Sequence, residues 1–123
     1  MKAYTDLNQS KKLSEILPLE SADMDYIPII NIDGEYSVEV NEWDNEHVIE
    51  DGWIPCWSLA ALFSVLPEYI KFDGHTWKIY NDHYGVYYMN ADTCDTNTFS
   101  TNSENLVDAC YEMIIKLHEL KML

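Results

Sequence analysis

Two Asp-Gly pairs, Asp33-Gly34 and Asp73-Gly74, each stand between stretches rich in β-branched and aromatic residues. Glycine accepts the positive φ of a tight reversal without steric cost, and aspartate tolerates it better than most residues. An Asp-Gly pair so placed predicts an antiparallel hairpin, and two of them favour folds built on locally paired strands. The first hairpin would join Tyr26–Ile32 to the alternating run Tyr36, Val38, Val40, and the second Tyr69–Phe72 to Thr76–Tyr80. Val86–Met89, following the turn residues Asn81, Asp82 and Gly85, reads as a fifth strand.

Helical periodicity occupies the remaining apolar stretches. Thr5 is the expected N-cap of a first helix that runs to about Leu17 and is stopped by Pro18. Trp57–Leu66 is apolar nearly all round, which predicts a buried helix. From about Ser103 a last helix carries Leu106, Cys110, Met113, Ile114, Leu117 and Leu120 as one stripe. Acids lie near its start and Lys116, His118 and Lys121 near its end, signs that complement the helix dipole. Asp92–Asn105, rich in Thr, Asn, Ser and Asp, reads as a loop. The order helix, hairpin, helix, three strands, helix predicts a single α+β domain over residues 1–123. It is expected to be an antiparallel sheet of about five strands with three helices packed mainly on one face.

Three stretches carry a resemblance. Tyr4-Thr5-Asp6-Leu7 with Lys12-Leu13, then Ile54-Pro55-Cys56-Trp57-Ser58-Leu59-Ala60-Ala61-Leu62, then Asp108-Ala109-Cys110-Tyr111-Glu112-Met113-Ile114 form the set. Together they resemble a family of small proteins of gut anaerobic bacteria and their phages or integrated elements. The similar stretches cover the two ends and the middle helix, and both hairpins lie outside them. The family has no known activity, so the resemblance gives no residue a role. It implies a cytoplasmic setting and an accessory role.

Charge narrows the range of partners. There are 22 acids against seven basic residues, all lysine, for a formal net charge of -15. No lysine or arginine lies between Lys12 and Lys71. Direct nucleic-acid binding needs a basic stripe to neutralise phosphates, and an anionic membrane surface needs the same. Neither partner is expected. A chain without arginine also lacks bidentate recognition of phosphate or carboxylate. The longest uncharged stretch, Gly52–Pro67, is too short to span a bilayer. Cys56, Cys94 and Cys110 are odd in number, widely spaced and preceded by no apolar leader, which predicts reduced thiols in the cytoplasm.

Catalytic and metal signatures fail one by one. No CxxC or HxxxH spacing is present. The oxygen-rich run from Asp92 departs from a calcium loop at Cys94, Asn97 and Ser103. Cys56 before the buried helix, with His47 upstream, would be the nucleophile–base pair, but Pro55, Trp57 and Leu59 around it predict a packed thiol. There is no phosphate-cradling glycine loop. No catalytic residue, metal ligand or cofactor is therefore expected.

The most distinctive surface is Glu35–Asp51, with seven acids, no base, and Trp43 within it. One reading is a solvated edge strand whose charge prevents unwanted pairing. The other is a docking surface in which Trp43 supplies the anchor. The functional expectation is a non-enzymatic interaction or regulatory module that binds a basic protein through Glu39, Glu42, Trp43, Asp44 and Glu46. The alternative is a small enzyme or ligand-binding domain with a pocket between sheet and helices. Self-association through a sheet edge is a third reading.

Overall fold

In the computed structural model the described residues are 2–40, 52–83, 85–103 and 105–123. They form an α+β fold whose contacts gather into two units, Lys2–Ala61 and Leu62–Leu123. The strands form two antiparallel sheets, one of three strands and one of four. This corrects the expected single sheet of about five strands. The physical reason is that each Asp-Gly hairpin recruits further strands of its own, one in the first sheet and two in the second.

In the first unit, helix α1 spans Leu7–Ser14. Its N-cap is Asp6 rather than the expected Thr5. Gln9 N donates to Asp6 Oδ1 at 2.8 Å and Asp6 N donates to Gln9 Oε1 at 3.1 Å, a reciprocal capping box. Thr5 is buried because its groups are used elsewhere. Its backbone N–H donates to Trp57 O at 2.9 Å, and its hydroxyl accepts from Trp57 N at 3.2 Å. A short 3₁₀ turn at Leu19–Ser21 leads to β1 (Met24–Pro28), which pairs with β2 (Tyr36–Val40). The third strand, β3 (Ile54–Cys56), pairs with the other side of β1. Sequence reading missed β3, since three residues beginning Ile-Pro carry no alternation. The order β2-β1-β3 leaves β2 at an edge.

Helix α2 (Leu59–Val65) begins after Ser58, whose Oγ accepts from Ala61 N at 3.2 Å as an N-cap does. The boundary between the units falls inside this helix.

In the second unit, β4 (Tyr69–Phe72), β5 (His75–Asp82), β6 (Gly85–Asn90) and β7 (Phe99–Ser100) pair in chain order. Helix α3 (Leu106–Glu119) follows, capped by Asn105, which accepts from Asp108 N at 2.9 Å. Its buried residues are Val107, Ala109, Cys110, Met113, Ile114 and Leu117, while Leu106 is half-buried and Leu120 exposed. Cys110, Met113, Ile114 and Leu117 of the expected stripe are thus buried, its two ends are not, and Val107 and Ala109 join it. Phe99 sits among Phe72, Trp77 and Tyr88, all edge-to-face, with centroids 5.1, 5.0 and 6.4 Å away. Strand β7 lies inside the stretch read as a loop; its polar neighbours hide the one residue that anchors it.

Candidate functional site

Of the residues expected to bind a partner, Glu39 lies on β2 and is exposed. Glu42, Trp43, Asp44 and Glu46 lie outside the described residues, as does His47. The geometry around Glu39 nevertheless has a distinct character. The β1–β2 register runs from Met24↔Val40 to Pro28↔Tyr36, so residues 29–35 form the connection. Within it, Ile32 N donates to Ile29 O and Glu35 N to Ile32 O, both at 3.3 Å. The second of these turns holds Asp33-Gly34 at its centre, with Gly34 at φ 80°. The first places Asn31 at φ 70°.

Two consecutive turns push the isoleucines outward. Ile30 is 84% exposed, Ile29 and Ile32 are exposed as well, and Val40 at the far end of β2 is 68% exposed. Single exposed apolar residues are ordinary, but three at one hairpin tip are not. Exposed Asp33 and Glu35 stand beside them, and exposed Glu39 lies toward the far end of β2. Sequence reading placed these isoleucines in a strand, where half would face inward. It missed them because the longer connection was not visible in the composition.

Asp25 lies opposite Glu39 on one side and Pro55 on the other, so the three share a sheet face. It is 3% exposed and its Oδ1 is buried with no hydrogen-bond partner among the described residues. Burial pushes its carboxyl above the ordinary range.

The cysteines separate by environment. Cys56 is buried against Thr5, with Sγ 3.6 Å from Thr5 Oγ1 and 3.5 Å from Thr5 O. Burial pushes its thiol up, the reverse of activation by a helix N-terminus. Tyr26, whose hydroxyl donates to Thr5 O at 2.8 Å, is pushed up to about 12, chiefly by burial. Cys110 lies in the core on α3 and burial raises it to about 12. Cys94 is exposed on a loop at φ 61°.

A second region lies on the four-stranded sheet. One face of that sheet carries Trp77, Val86, Tyr88 and Phe99, all buried. By register the other face carries Tyr80, Asp82, Gly85, Tyr87 and Ser100. At its end a cleft of about 370 Å³ is lined by Asp82, Gly85, Tyr87, Thr96, Asn97, Ser100 and Thr101. Strands and a loop line it, and no helix does, unlike the pocket expected between sheet and helices.

Buried Asn90 shapes the loop, its Oδ1 accepting from Asp92 N at 2.8 Å and Thr93 N at 3.2 Å. Asp95 continues the work, accepting from Asn97 N at 2.8 Å and Thr98 Oγ1 at 2.5 Å. The Thr98 hydroxyl, chief among these donors, holds the Asp95 carboxyl below its ordinary range. Asp92 pairs with His75 Nδ1 at 2.7 Å. The carboxylates of Asp92 and Asp95, which suggested a calcium loop, are thus engaged within the fold. Among the described residues no group of three His, Cys, Asp or Glu is placed to hold a metal, and no helix is long and apolar enough to cross a membrane.

The fold and surface define an α+β protein with an acidic, apolar-tipped hairpin and a separate polar cleft. Compared with known protein families, curated proteins and solved structures, the chain matches none.

Proposed function

We propose that this protein is a non-enzymatic interaction module that takes a basic protein segment as an added strand on β2. The observation that carries the reading is the hairpin tip, where Ile29, Ile30 and Ile32 are exposed beside Asp33 and Glu35. Among the described residues β2 pairs only with β1, and we take its outer edge as the one a partner strand extends. Charge selects the partner. Seven acids stand in Glu35–Asp51 without one base, which favours lysine and arginine and repels anions. Glu42, Trp43, Asp44 and Glu46 continue that charge in sequence, with Trp43 as a further anchor. An accessory role in the cytoplasm fits such a module.

The test begins with affinity capture from the native cell and continues with the purified partner. Ile30→Ser and Trp43→Ala should each speed dissociation, because apolar anchors act after encounter. Changing Glu42, Asp44 and Glu46 together to Gln or Asn should slow association, and added salt should do the same. Normal folding with parental binding in all three variants would refute the reading.

A further inference from the structure

We infer that the cleft on the four-stranded sheet is a binding site for a neutral, hydroxyl-rich ligand of the saccharide class. The inference does not depend on the hairpin reading. Its volume of about 370 Å³ lies at the lower end of the range of small-molecule sites. Its chemistry is selective. Six of its seven lining residues bring a hydroxyl, a carboxamide or a carboxylate, and none is cationic. A phosphate or carboxylate ligand would find no cation among the lining residues, Lys78 lying instead over the Tyr80 ring at 5.5 Å, and the chain's net charge of -15 would repel it. Asp82 is the single carboxylate in the lining, too few for a divalent cation that prefers several oxygens.

Hydroxyl, carboxamide and carboxylate groups together can both donate to and accept from sugar hydroxyls. Among the described residues the side chains of Thr96 and Asn97 have no hydrogen-bond partner, whereas the Asn97 backbone is engaged at both its N–H and its carbonyl. The loop therefore holds the backbone still and leaves these side chains to the cleft. The Tyr87 hydroxyl likewise has no partner among the described residues, while its ring stacks on Tyr80 at 5.8 Å and 19°. Of that pair Tyr87 lines the cleft and brings an aromatic ring, the kind of group on which the C–H face of a sugar packs, while Lys78 Nζ lies 5.5 Å over the ring of Tyr80. Gly85 makes the floor. A Cβ there would lie 2.6 Å from Thr101 O, so only glycine lets the chain after β7 cross so closely.

The experiment is an amide-resolved NMR titration of the full chain with maltose, cellobiose and chitobiose, and separately with inorganic phosphate. At least one disaccharide should give saturable shifts at Gly85, Tyr87, Asn97, Ser100 and Thr101, in the millimolar range, and phosphate none. The double variant Thr96→Val with Asn97→Ala removes side chains without partners among the described residues, so its spectrum elsewhere should overlay the parent's. Its affinity should fall about ten-fold, the effect of losing one or two hydrogen bonds. The inference is overturned if none of the three sugars shifts these signals, if phosphate shifts them instead, or if the folded double variant binds like the parent.

Discussion

Asp25 and Thr5 are both buried polar residues, and they differ in how the fold treats them. Thr5 has its hydroxyl 2.7 Å from Ser10 Oγ and within reach of Trp57 N, so its burial is compensated. Asp25 keeps one carboxylate oxygen without a partner among the described residues. Desolvation raises its pKa, so the folded chain binds that proton more readily than the unfolded chain does. The stabilising contribution is then present below the ordinary carboxyl value of 3.8 and is lost as pH rises through the raised value. At neutral pH the charged form is a liability. Asp25→Asn should therefore be more stable than the parent at neutral pH, by on the order of 1 kcal/mol. Urea unfolding at neutral pH and again near pH 4 checks this, and the difference should close on acidification. An Asn variant less stable at neutral pH would mean the carboxylate is needed in its charged form.

The two Asp-Gly pairs show how one dipeptide serves two kinds of element. Asp73-Gly74 is a two-residue connection between Phe72 and His75, with φ of 53° and 76°, the all-positive signature of a type I′ turn. Asp33-Gly34 instead closes a seven-residue connection in which Gly34, but not Asp33, has positive φ. Gly85 differs again, at φ 138° with Thr101 against it. These environments predict an order of cost. Gly74→Ala adds a Cβ into open space, so its penalty is backbone strain alone, roughly 1–2 kcal/mol. Gly85→Ala adds a collision with backbone to a conformation nearly confined to glycine, and should cost clearly more. Chemical denaturation of both variants measures the order; equal losses would mean that Thr101 moves aside easily. The hairpins were legible in sequence because their turn chemistry is local. β3 and β7 were not, since strands of three and two residues carry no periodicity and exist only through their partners.

Across the whole molecule the net charge of -15 acts on stability as well as on partner choice. Acids crowded on a chain of 123 residues repel one another more when folded than when unfolded. Raising ionic strength from about 0.01 M to about 0.15 M shortens the screening length from ~30 to ~8 Å. Tm should rise over that range in a scanning calorimeter, while association with a basic partner slows. A Tm that falls with salt would mean that attractive pairs such as Lys2–Asp6, at 3.1 Å, outweigh the repulsion. By itself the sequence determined the properties that are sums or local patterns: the charge, the positions of both hairpins, the stripe of α3 and the burial of Cys110. Tertiary structure alone decided that the strands divide into two sheets, that Asp6 and not Thr5 caps α1, that three isoleucines face solvent, and that Thr96 and Asn97 line a cleft. The division into sheets and the diversion of Thr5 to Trp57 depend on residues far apart in the chain, and the exposed isoleucines on a turn arrangement that hydrophobic patterning does not record.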